Sequence, residues 1–127
     1  MSTNKESSWL ILVLEEIEEI RDGIEKLLKT DNYQVETART VTEAILKAKH
    51  QPPGLVLICL ASSTTGSIQV AKQLRQEAGL MEHVPVVIFG LEELAEGAEV
   101  AIEGNIHLTQ PDNFNQLRAT LRRLLVK

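Results

Sequence analysis

The sequence predicts an α/β domain: a parallel sheet with helices packed on both faces. Three observations carry this. Apolar runs without charge recur at Trp9–Leu14, Leu55–Leu60 and Val84–Phe89, the pattern of strands buried on both faces. Between them lie stretches whose apolar residues are spaced by three and four, as amphipathic helices require. Strand and helix alternate five times, which implies parallel strands joined by right-handed crossovers.

The bulk properties set the bounds. A chain of 127 residues with 43% hydrophobic and 24% charged residues suits one domain with one core. A net charge of −5 argues against a nucleic-acid surface, which calls for a basic patch. The single cysteine excludes an intramolecular disulfide and an all-cysteine metal site. Aromatics at 3% leave little with which to stack a planar cofactor. No run approaches the ~20 apolar residues of a membrane span. Residues 1–8 are polar, lack the apolar stretch of a signal peptide, and read as a flexible tail before a domain over 9–127. A cytoplasmic location follows as the expectation.

Trp9–Leu14 opens the sheet and ends at Glu15-Glu16. Ile17, Ile20, Ile24, Leu27 and Leu28 mark a helix over Ile17–Thr30. Tyr33–Thr37 alternates as a short strand. Thr40 can cap a helix over Val41–His50, which Pro52-Pro53-Gly54 stops. Leu55–Leu60 is the central strand and carries Cys59 at its carboxyl end, where such sheets place their chemistry. Ser67–Ala78 follows as a helix capped by Gly66 or Ser67 and ended by Gly79, and then comes the Val84–Phe89 strand. Glu92–Glu103 reads as a weakly apolar, acidic fourth helix broken by Gly104-Asn105. Ile106–Thr109 is the last strand, and Asp112 or Asn113 caps a final helix with Phe114, Leu117, Leu121, Leu124 and Leu125 on one face.

Ile11–Leu14 followed by two acids, the Leu55–Leu60 strand, Val84-Pro85-Val86-Val87-Ile88-Phe89 and Leu108-Thr109-Gln110-Pro111 together resemble the receiver (CheY-like) domain of bacterial two-component response regulators. The resemblance runs from about Trp9 to Leu125. It implies a flavodoxin-like (βα)5 three-layer sandwich, with a parallel five-stranded sheet in the order 2-1-3-4-5. It also implies a role in phosphorelay signal transduction.

An active receiver of this kind takes a phosphoryl group on an aspartate that, with an acid pair, holds Mg²⁺. A strand-four hydroxyl and a lysine steady the phosphoryl group. On this sequence the phosphoacceptor falls on Cys59 and the acid pair on Glu15 and Glu16. The hydroxyl falls on Gly90, the lysine on Gln110, the switch aromatic on His107 and the loop proline on Ser63. A thiol is a poor ligand for Mg²⁺, and each glutamate is a methylene longer than aspartate. Without a hydroxyl and an ammonium, the electrostatic stabilisation that phosphoryl transfer depends on is missing. The set reads as a degenerate pseudo-receiver: no enzyme, no cofactor, and protein–protein interaction independent of aspartyl phosphorylation. Histidine kinases or output proteins are the expected partners, with no nucleic acid and no membrane.

Other readings attach to particular residues. Cys59 could act as a redox switch, although a reactive thiol needs an electropositive setting and two glutamates stand nearby. Glu15 and Glu16 could hold a divalent cation loosely. Ser62–Ser67, with Thr64-Thr65-Gly66, resembles a flavodoxin phosphate loop and allows a flavin- or small-ligand-binding module. Glu92, Glu96 and Glu99 on the fourth helix, set against Arg118 and Arg122 on the last, suggest an interaction face formed by helix four, strand five and helix five. A two-fold dimer could form there.

Overall fold

A computed structural model of the chain describes residues 9–59, 63–91 and 93–125. The elements in order are β1 (Leu10–Leu14), α1 (Glu18–Thr30), β2 (Gln34–Ala38), α2 (Val41–His50), β3 (Leu55–Ile58), α3 (Thr64–Ala78), β4 (Val86–Phe89), β5 (Glu99–Ile102), β6 (Ile106–Thr109) and α4 (Phe114–Leu125). They form one sheet in the order β2-β1-β3-β4-β6-β5. All neighbours pair in parallel except β5, which runs antiparallel to β6 with Val100 opposite Leu108.

The period-two side-chain alternation of the strands splits the core into two layers. Ile11, Val13, Leu55, Leu57 and Val87 face α1 and α4, meeting Ile24, Leu28, Leu117 and Leu121. Leu12, Leu14, Val56, Ile58, Val86 and Ile88 face α2 and α3, meeting Ala44, Ala48, Ala71 and Leu74. The charge-free sequence of β3 is thus explained: all four of its residues are buried between two helix layers.

The helix ends follow their sequence signals. The Thr40 side chain accepts from the Glu43 amide at 3.1 Å, capping α2. Asn113 Oδ1 accepts from the Gln116 amide at 3.0 Å at the start of α4. Gly79 ends α3 with φ 66°, a left-handed cap that a side chain would disfavour. The third helix starts one turn earlier than expected. Ser63 is its cap, its hydroxyl accepting from the Gly66 amide at 3.0 Å, whereas Ser67 is fully buried inside the helix.

The expected fourth helix over Glu92–Glu103 does not form. Turns and a bend lead through 93–97, and Glu99–Ile102 becomes the edge strand β5, making a sheet of six strands rather than five. The reason is local. Gly97 sits at φ 83°, and Gly104 and Asn105 at 85° and 58°, so two positive-φ residues reverse the chain directly into β6. Val100 and Ile102 are also β-branched, which favours a strand over a helix.

Arg75 ties the far end of α3 to this new edge. Its guanidinium donates to the carbonyls of Met81 at 2.9 Å, Val84 at 2.7 Å and Asn105 at 3.3 Å.

Candidate functional site

The carboxyl ends of β1, β3 and β4 lie side by side, because Leu14 pairs with Ile58 and Ile58 with Ile88. The residues that follow these strands therefore converge. Glu15 continues β1, its amide donating to the Ala38 carbonyl at 3.0 Å. Cys59 continues β3, its amide donating to the Leu14 carbonyl at 3.0 Å. A Cβ placed on Gly90 would lie 3.6 Å from Cys59 Sγ. Glu15, Cys59 and Gly90 thus form one cluster at the edge where open α/β sheets bind ligands.

Burial raises the Cys59 thiol first, and the neighbouring Glu15 carboxylate second, to about 12. It is a neutral thiol at ordinary pH. Glu15 is only 4% exposed. Its Oε2 accepts from the Ile17 amide at 3.0 Å, so the carboxylate folds back on its own loop, and its Oε1 is buried with no hydrogen-bond partner among the described residues. Glu16 is exposed and takes no part in the cluster.

Arg21, which the strand-end pattern did not single out, lies against this loop. Its Nη1 donates to the Glu15 carbonyl at 3.1 Å and to the Glu16 carbonyl at 3.4 Å. A fixed positive charge on the acid-pair loop opposes a divalent cation there. Among the described residues no group of three or more His, Cys, Asp or Glu side chains is arranged to hold a metal ion.

Gly90 adopts φ 82°. The space beside it is ordinary van der Waals distance, so the backbone, not crowding, is what disfavours a hydroxyl-bearing residue there. Gln110 follows β6, and its backbone is taken up by the segment after Gly97. Its amide donates to the Ala98 carbonyl at 3.0 Å and its carbonyl accepts from the Gly97 amide at 2.6 Å. Gly90 and Gln110 share a depression of about 260 Å³ with Phe89, Pro111, Asn113, Phe114 and Leu117, neutral throughout. His107 stands apart from the Cys59 cluster, its Nε2 2.8 Å from Asn105 Oδ1. Burial holds its pKa below the usual value.

The Ser/Thr-rich stretch is the start of α3 rather than an open phosphate loop. Glu93, from the turn after β4, accepts from the Thr64 amide at 2.9 Å and also from the Thr64 hydroxyl. A carboxylate of the chain itself thus stands at the helix N-terminus, where a phosphate would bind. Ser62 lies outside the described residues.

The acidic fourth helix of the expected interaction face is not there among the described residues. Glu92 lies outside the described residues, Glu96 is exposed in a turn, and Glu99 is on β5. Glu99 pairs with Arg123 of the same chain. Arg118 turns the other way and grips Asp31, at the end of α1, with Nε–Oδ2 2.8 Å and Nη2–Oδ1 2.6 Å. Arg122 is exposed and lies within electrostatic reach of Tyr33. The two helix-five residues of the expected face therefore lie toward α1 and β2.

This fold has relatives. The chain is 25% identical over 114 residues to the transcriptional regulatory protein KdpE of Staphylococcus aureus, covering 88% of this chain and 48% of that protein. It is 27% identical over 115 residues to the alkaline phosphatase synthesis transcriptional regulatory protein PhoP of Bacillus subtilis, covering 91% and 48%. It thus spans about half the length of these curated relatives. A CheY-like receiver domain from Methylobacillus flagellatus superposes with a TM-score of 0.71 at 16% identity, covering 92% of this chain and 98% of that one. The Thermotoga maritima response regulator TrrA, in complex with Mg²⁺-BeF, superposes with 0.69 at 17% identity, covering 91% and 98%. The profile of the response regulator receiver domain matches residues 11–122, nearly all of the described fold; the chain belongs to that family.

Proposed function

We propose that this receiver domain works without aspartyl phosphorylation, as a non-catalytic protein–protein interaction module in two-component signal transduction. One observation carries the reading. The phosphoacceptor position is a neutral thiol with a pKa of about 12, set between the buried Glu15 carboxylate and Gly90. Three further features support it. Arg21 sits on the carbonyls of the acid-pair loop. Gly90 holds a backbone conformation unsuited to a hydroxyl residue, and Gln110 supplies no ammonium. Phosphoryl transfer rests on positioning and charge stabilisation, and these residues provide neither. The layered α/β scaffold of the receiver family is kept. A histidine kinase or an output protein in the cytoplasm is the class of partner that fits.

Incubation with acetyl phosphate and Mg²⁺, followed by intact mass measurement, tests the reading. No gain in mass is expected. A stable, Mg²⁺-dependent gain of one phosphoryl group would overturn it.

A further inference from the structure

The exposed side of α1 carries an apolar stripe that no described residue covers. Ile20 is 44% exposed and Leu27 45%, with Ile17 at 50% just before the helix, while Ile24 and Leu28 fill the buried side. Gly23 lies between Ile20 and Leu27 on the stripe. Glycine within a helix is costly relative to alanine, and no internal packing calls for it here: a Cβ at Gly23 would meet nothing within 4 Å. A glycine without an internal reason, flanked by exposed isoleucine and leucine, suits close approach of another helix from outside.

The charges at the rim of the stripe indicate which helix. The entry to α1 is acidic, with Glu16, Glu18 and Glu19, and Lys26 lies toward its end. Among the described residues none of these four makes an ion pair, whereas Lys29 is taken by Glu25 at 2.9 Å. Two such helices laid antiparallel with the crossing at Gly23 bring Ile20 against Leu27 and Glu19 against Lys26, twice over. A two-fold interface must be self-complementary in this way. A parallel pairing would instead set acid against acid.

We infer that α1 is a homodimerisation surface, in which α1 of a second copy packs antiparallel across Gly23. This inference does not rest on the absence of phosphorylation. A single helix pair lies at the small end of specific interfaces, so the dimer is weak and salt-sensitive.

Sedimentation equilibrium over a concentration series tests it. The wild type should associate reversibly, and Ile20→Glu should be monomeric. Gly23→Gln should raise the thermal stability of the fold, as a better helix former, while weakening the dimer by about tenfold or more. Glu19→Lys and Lys26→Glu should each weaken association, and the double exchange should restore it. A wild type that stays monomeric up to about 1 mM would overturn the inference. So would a dimer that survives both Ile20→Glu and Gly23→Gln.

Discussion

Glu93 closes the N-terminus of α3 by accepting both the amide and the hydroxyl of Thr64, a residue 29 positions earlier in the chain. The turn after β4 is thereby fastened to the start of α3. The Thr64 hydroxyl first, and its amide second, hold the Glu93 carboxyl below its ordinary 4.5. A depressed carboxyl stabilises the fold above the unfolded value, and the contribution is lost as pH falls through the folded one. The Thr64 amide resonance should therefore titrate with a midpoint below 4.5. In Glu93→Gln that transition should vanish, and hydrogen exchange at Thr64 and Thr65 should speed up at neutral pH.

Cys59 should resist thiol reagents in the folded state. With its pKa pushed up to about 12, its thiolate population at pH 8 is far below that of a free thiol. Labelling of the native protein should be about a thousandfold slower than in denaturant. The sign for stability follows. The folded state binds the proton more tightly, so the contribution is complete below the ordinary value of 9.0 and is lost as pH rises toward 12. Cys59→Ala should flatten the alkaline limb of a denaturation series.

Arg75→Ala should destabilise the domain by about 1–3 kcal/mol, because its loss strips donors from three backbone carbonyls. Urea unfolding should show a lower midpoint with an unchanged slope.

Placing a hydroxyl at Gly90 should not create a phosphorylation site. Gly90→Ser places an L-residue at φ 82° and should lower stability by about 1–2 kcal/mol. Thermal melting reads that loss, and intact mass after acetyl phosphate treatment should show no adduct.

The candidate site was legible in the sequence to the extent that it depends on strand ends. Glu15, Cys59 and Gly90 follow three apolar strands and meet for that reason. Arg21 and Glu93 were not legible, since an arginine near a helix start and an acid in a turn have many uses. Only the folded chain sets Arg21 on the Glu15 carbonyl and Glu93 on Thr64. The fourth helix was misread because Leu94, Ala98, Ala101 and Ile102 also fit a helical spacing. The signals against it were Gly97, Gly104-Asn105 and the β-branched Val100 and Ile102.

The sequence by itself determined the layered α/β architecture and the identity of the residues that stand at its strand ends. Hydrophobic periodicity and residue identity are properties of short stretches, legible without their partners. The tertiary structure decided the rest: an antiparallel edge strand in place of a helix, Arg118 gripping Asp31 at the end of α1, and Arg21 on the carbonyls of Glu15 and Glu16. Each depends on which distant groups the fold brings within hydrogen-bond reach. A short, weakly apolar segment takes whatever conformation its neighbours leave open.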